Sequence, residues 1–221
     1  MYQTDPQLGK NIQQLLTHLK IENPANFILT RQWQESNKLF QLEEKFVSFL
    51  ADTGIYAHQE EIKRTATRII NFWCNEQFYG LNYSNFPAIS LSSNEFGYHE
   101  PLIAEAIKFT TTCEHHLVPI HGVATIAYAP KNYVIGLNKL NCVLEFFAHR
   151  PQLQERLTRQ VFVTLQHILQ TDDIAVIIKA QHDCMSTNGI CDRDTKHTTL
   201  ETGGIYATDQ TLKKHLLDSL R

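Results

Sequence analysis

The sequence predicts an α+β domain preceded by a helical N-terminal region. Three observations carry this. Apolar residues recur at helical spacing through the first eighty residues. Two runs rich in β-branched residues, 103–112 and 118–128, then follow each other across a short break. After them come two helical patterns, two further strand-like runs and a closing helix.

Taken in order, a first helix is expected from Leu8 to Leu19, with Asn23-Pro24 as its breaker. Ser36 suits a helix cap, and Leu39, Leu42, Phe46, Phe49 and Leu50 follow at helical spacing up to Gly54. A third helix is expected from Gln59 to Phe78, with Ile62, Ile69, Phe72 and Trp73 facing inward. Pro87 and the Ser/Asn cluster at 90–94 read as loops. Ile103–Thr112 and Val118–Tyr128 read as strands, and Asn138–Phe147 as a short helix. Pro151 is expected in the first turn of the next helix, whose apolar stripe is Leu153, Leu157, Val161, Leu165 and Ile168. Ile174–Ala180 suits a buried strand, Thr195–Tyr206 a last strand region and Leu212–Leu220 a closing helix. The division expected is residues 1–55, helical, and 56–221, the α+β domain.

Composition narrows the function classes. The chain has 221 residues, a formal net charge of −3 and dispersed Lys and Arg, which disfavours a nucleic-acid surface. No apolar run approaches the ~20 residues of a membrane span. The N-terminus MYQTDPQLGK lacks a signal-peptide pattern. Five cysteines without a secretory signal suggest reduced thiols and a cytoplasmic setting.

The chemistry concentrates in Cys113-Glu114-His115-His116 and His182-Asp183-Cys184. Zinc favours Cys sulfur and His nitrogen, and a catalytic zinc keeps three protein ligands and one open position. Cys113, His116 and Cys184 suit that set, because a C-x-x-H turn folds around one ion and Cys184 can close the set from a second strand. Neighbouring side chains diverge, so His115 is left for acid–base work, as is His182. Zinc-bound water has a pKa of about 7, and histidine, at about 6.5, can deliver and recover a proton.

The surrounding motifs are GLNYSNFP (80–87), CEHHLVPIHGVATIAYAP (113–130), VIGLNKL (134–140), FFAHRPQLQERLTRQ (146–160) and QHDCM (181–185). From about Gln59 to Tyr206 the chain resembles the GTP cyclohydrolase I family, zinc enzymes that convert GTP to dihydroneopterin triphosphate and formate in pterin and folate synthesis. The resemblance implies a tunnelling fold (T-fold), in which four antiparallel strands carry helices on one face, assembled as a homodecamer with sites between subunits. It implies Zn2+ on Cys113, His116 and Cys184, with His115 and His182 catalytic. It implies substrate contacts from Gln154, Glu155, Lys139, Asn138 and Arg68, the last from a neighbouring subunit. A carboxylate such as Glu155 can accept from guanine N1–H and the 2-amino group, an edge that adenine lacks.

Three positions depart from the family pattern. Cys142 and Asn188 stand where the family carries phosphate-binding Arg, and Asn138 stands where it has Ser. Neither Asn nor Cys replaces a bidentate guanidinium, so GTP binding is expected to weaken by about two or more orders of magnitude unless Arg193 or Lys196 compensates. The alternative is therefore a paralogue acting on a guanine-like purine with fewer phosphates or none. A third reading, a non-catalytic zinc-bound binding protein, leaves His115 and His182 unexplained. A redox protein is disfavoured because no C-x-x-C occurs.

Overall fold

Capping chemistry sets the first element. In the computed structural model, which describes residues 3–24, 36–54, 59–187 and 194–218, helix α1 runs Pro6–His18. The Asp5 side chain accepts from Leu8 N–H at 2.9 Å, and Pro6 occupies the first turn, where no N–H is needed. The helix stops before Asn23-Pro24. Lys20 takes a left-handed conformation (φ 60°) and Ile21 N–H returns to the Leu16 carbonyl at 3.0 Å, a C-terminal stop of Schellman type. Gly9 lets α1 lie against the 83–86 turn, because a Cβ there would stand 2.1 Å from the Tyr83 carbonyl oxygen.

Helices α2 (Ser36–Asp52) and α3 (Gln59–Asn71) pack on each other, burying Leu50, Ile62, Ala66 and Ile70. The third helix does not continue unbroken to Phe78. Residues Phe72–Gln77 form a π-helical segment. Its wider turn breaks the 3.6-residue spacing, so Phe72 is 45% exposed instead of inward. Trp73 stays engaged, edge-on to Phe46 at 5.9 Å and stacked on Phe78 at 6.4 Å. The expected boundary between residues 55 and 56 and the positions Asn188, Cys191 and Arg193 lie outside the described residues.

The remaining strands and helices are β1 (Leu91–Ser93), β2 (Leu102–Cys113), β3 (Pro119–Tyr128), β4 (Tyr133–Ile135), α4 (Leu137–Ala148), β5 (Pro151–Gln152), α5 (Gln154–Leu169), β6 (Ile174–His182), α6 (Asp183–Thr187), β7 (His197–Thr202), α7 (Ile205–Thr208) and α8 (Gln210–Asp218). The main sheet has the order β5-β2-β3-β6-β7, with four antiparallel strands and β5 as a two-residue parallel addition. The 90–94 stretch is not all loop, since β1 pairs with β4. Pro151 is not in a helix either. It pairs with Thr112 in β5, at the start of a short edge strand where a missing N–H costs nothing, and α5 begins at Gln154.

Helices α4 and α5 cover one face of the sheet. Phe146, Phe147, Leu157, Val161 and Leu165 meet Ile120, Ile126, Val176 and Ile178 there, and Ile12 and Leu16 of α1 join the same core. None of the described helices is long and apolar enough to cross a membrane.

One buried ionic network ties the N-terminal segment to this core. Arg150 is fully buried; its guanidinium reaches Glu22 Oε1 and the Tyr83 hydroxyl, each at 3.2 Å, and donates to the Gly80 carbonyl. The rings of Phe146 and Phe147 lie under it, at 4.9 and 4.8 Å. Burial pushes the Tyr83 phenol well above its usual range, so it stays protonated and donates to Glu22. Removing one partner of a buried pair strands the other charge, at a cost of about 3–5 kcal/mol. Glu22→Ala is therefore expected to lower stability by about 3 kcal/mol, or roughly 10 °C in apparent Tm. A melting curve matching wild type would show that water already screens this charge.

Candidate active site

Strand β2 ends at Cys113, and the chain turns through 114–117 before entering β3. Cys113 N–H donates to the Val118 carbonyl and Leu117 N–H to the Cys113 carbonyl, both at 2.8 Å. Leu117 takes φ 54° to close this turn. The closure folds His116 back, with Nδ1 3.8 Å from Cys113 Sγ. Cys184 comes from the far end of β6, on the one-turn helix α6. The donor atoms of Cys113, His116 and Cys184 all lie within 4.8 Å of one another.

This set fits zinc. Bond lengths of about 2.3 Å to sulfur and 2.0–2.1 Å to nitrogen place tetrahedral donors about 3.6–3.8 Å apart, which matches the 3.8 Å between Cys113 Sγ and His116 Nδ1 and lies within the 4.8 Å spread of the set. Burial, then the neighbouring Cys113, pushes the Cys184 thiol up. Two crowded thiols resist ionising together unless a cation sits between them, and a divalent ion holds both as thiolates.

His182 lies on β6 directly opposite Ile120, two residues before Cys184. Burial, then His197, lowers its pKa, with Glu155 pulling the other way, so the ring is neutral at pH 7. Its tautomer follows from Gln154. The buried Gln154 amide donates Nε2–H to the carbonyls of Ile178 (3.1 Å) and His197 (3.0 Å) and to Thr199 Oγ1 (3.1 Å). Its Oε1 must then face His182 Nε2, at 2.9 Å. His182 donates from Nε2 and carries its lone pair on Nδ1. Gln154 thus enters the site as the residue that orients His182, its side-chain amide engaged within the chain.

Glu155, in the first turn of α5, is exposed and within electrostatic range of His182. Its neighbour Arg156 is not a solvated helix charge. It grips Glu114 bidentately, at 2.5 and 3.1 Å, and so docks the start of α5 onto the ligand turn. His115 is exposed on that turn, its ring nearly perpendicular to that of His116 at 6.2 Å.

The remaining expected residues sit elsewhere. Asn138 and Lys139 are at the start of α4, whose other end touches the sheet where Thr111 Oγ1 donates to the Ala148 carbonyl. Lys139 is roughly 14 Å back along the helix axis from Ala148, and its ammonium donates to the Ala88 carbonyl at 2.8 Å. One chain does not bring these two to the metal cluster. Asn138 instead lines an open groove of about 970 Å3 with Asn141 and Glu145 of α4, His149 just after it, and the outer part of β2. Arg68 is exposed in the last turn of α3. Cys142 is only 3% exposed, inside the core, and Lys196 is exposed just before β7.

Sequence reasoning missed His197, whose ring lies 5.4 Å from that of His182, and Thr199, which holds Gln154. It also missed the Glu114–Arg156 clamp. The register of β7 on β6 brings His197 and Thr199 to the site, and the docking of α5 brings Arg156 to Glu114; neither contact is local in sequence.

Comparison with known proteins accords with this geometry. A sequence model for GTP cyclohydrolase I matches residues 42–221. The chain is 39% identical over 181 residues to GTP cyclohydrolase 1 of Buchnera aphidicola subsp. Schizaphis graminum (strain Sg), covering 82% of this chain and 83% of the relative. It is 36% identical over 210 residues to GTP cyclohydrolase 1 of Vibrio vulnificus (strain YJ016), covering 95% of each chain. It is 36% identical over 213 residues to that of Vibrio cholerae serotype O1, covering 96% and 97%. With the ligand turn, the one-turn helix bearing Cys184 and the start of α5 all inside the matched span, the chain belongs to the GTP cyclohydrolase I family.

Proposed function

We propose that this chain is a zinc-dependent hydrolase that opens the imidazole ring of GTP, releasing C8 as formate and yielding dihydroneopterin triphosphate. The observation that carries the reading is the convergence of Cys113, His116 and Cys184 beside His182 and Glu155. When bound there, zinc supplies water activated for attack at neutral pH.

The protein's own residues do the rest. The Glu155 carboxylate accepts from guanine N1–H and the 2-amino group, which selects guanine and orients the purine in the site. His115 delivers a proton to the purine as C8 is attacked. His182, neutral and held by Gln154, accepts protons at Nδ1. Two waters are consumed in freeing C8 as formate, and one is lost when the new ring closes. Glu155→Gln is expected to lower kcat/KM for GTP roughly 10- to 100-fold at unchanged zinc content, because it removes a charge-assisted pair of hydrogen bonds. A variant with wild-type kcat/KM would remove Glu155 from guanine recognition.

Asn138, Lys139 and Arg68 reach a triphosphate only if neighbouring copies supply them, which supports a homo-oligomer, a decamer by family likeness, with sites between subunits. The ligand thiols need a reducing compartment, which supports a cytoplasmic setting.

A second reading has its own observation. Cys142 is buried, and Lys139 is engaged with a backbone carbonyl, so position 142 presents no cation to a phosphate. A guanine-like substrate with fewer phosphates fits that arrangement. Steady-state comparison of GTP with guanosine separates the two: a strong preference for GTP supports the first reading and a preference for guanosine the second.

A further inference from the structure

His121 lies outside the catalytic set, yet it touches every segment that carries a metal ligand. It stands on β3, five residues after His116, and is paired across the sheet with Thr110 of β2, three residues before Cys113. Thr110 Oγ1 lies 3.2 Å from His121 Nδ1. On the other side of the ring, His121 Nε2 lies 3.5 Å from Asp183 Oδ2. Asp183 is the first residue of α6 and immediately precedes Cys184.

The Nε2–Asp183 contact is an ion-pair distance rather than a hydrogen bond, while Nδ1 is the ring nitrogen that meets the Thr110 hydroxyl. The bridge thus spans the strand leading into Cys113, the strand leaving the His115-His116 turn and the helix bearing Cys184. The requirement it meets is specific. Cys113 and His116 share one turn, and their spacing is set by that turn's own hydrogen bonds. Cys184 arrives on a helix of only five residues, two positions past the His182–Ile120 pair, so its position against the other two depends on what holds α6 as well as on that pairing.

We infer that His121 is a positioning residue for the metal site: through Asp183 it sets the approach of Cys184 to Cys113 and His116. The inference rests on the assignment of these three as metal ligands. Groups that orient ligands from outside the coordination shell commonly change metal affinity 10- to 100-fold when removed. The Asp183 contact is long and the His121 side chain is 56% exposed, so the effect belongs at the low end of that range.

The test uses the full-length assembly loaded with Co2+, whose thiolate-to-metal absorption bands report the two sulfur ligands directly. His121→Ala is expected to weaken Co2+ binding about tenfold in chelator competition and to shift or diminish the thiolate bands, with far-UV circular dichroism unchanged. His121→Gln keeps an N–H donor at similar reach and is expected to recover most of the affinity. In a double-mutant cycle, His121→Ala and Asp183→Asn are expected to be strongly non-additive, since each breaks the same contact. Wild-type affinity and bands in His121→Ala would overturn the proposal, as would additive effects in the cycle. Should His121→Ala fail to fold, Asp183→Asn alone decides: an unchanged cobalt spectrum and affinity would equally overturn it. A different failure marks the ligand assignment itself. If wild-type protein shows no thiolate-to-cobalt bands, Cys113 and Cys184 are not ligands and the inference falls with them.

Discussion

Cys113→Ala protein is expected to purify with little or no zinc and to release no measurable formate from GTP. Cys113 is the anchor of the site: it is 4% exposed, ends β2, and forms both backbone hydrogen bonds that close the ligand turn. Removing its sulfur leaves one thiol and one imidazole, a pair that cannot complete a catalytic zinc set. Loss of an outer residue already costs 10- to 100-fold, so loss of a ligand should weaken the metal by a further order of magnitude or more. The turn's backbone bonds do not involve the side chain, so the fold should persist, and circular dichroism checks this. Full zinc occupancy in the variant would show that the ion is held by other residues.

His182→Ala is expected to divide the two properties. Zinc should remain near one per chain while kcat falls roughly 100-fold or more. The reason is geometric: Nε2 is engaged by Gln154 Oε1, and among the described residues the group able to hold a metal is Cys113, His116 and Cys184, without His182. Parallel loss of zinc and activity would move His182 into the coordination shell and leave the proton transfer to His115.

The candidate metal cluster was legible in the sequence because its residues are local. Cys113 and His116 are three residues apart, His182 and Cys184 two apart, and each pair sits at a strand end that β-branched runs announce. The β2–β3 hairpin was legible for the same reason, since the 102–113 and 119–128 strands are neighbours in sequence, whereas the T-fold was implied by the family resemblance. What failed was non-local. Pro151 is a strong helix-start signal, but pairing with Thr112 drew it into a strand. Phe72 lies at a helical interval from its neighbours, but the backbone widens into a π turn there. His197 lies outside every quoted motif and meets His182 only through the register of β7 on β6, and His121, though inside the 113–130 motif, meets Thr110 and Asp183 only through the pairing of β3 with β2 and β6. The phosphate site was legible only as a departure, and burial of Cys142 adds that an Arg placed there would start from inside the core.

Metal-dependent opening of the purine ring of GTP is the activity proposed for this chain. It is tested by formate release from GTP by the zinc-loaded assembly, measured beside guanosine and beside the same protein stripped by a chelator and reloaded. Stoichiometric formate and dihydroneopterin triphosphate are expected from GTP, with loss of both on chelation and recovery with zinc. Tight binding of GTP without formate release, or release that survives complete removal of the metal, would contradict it.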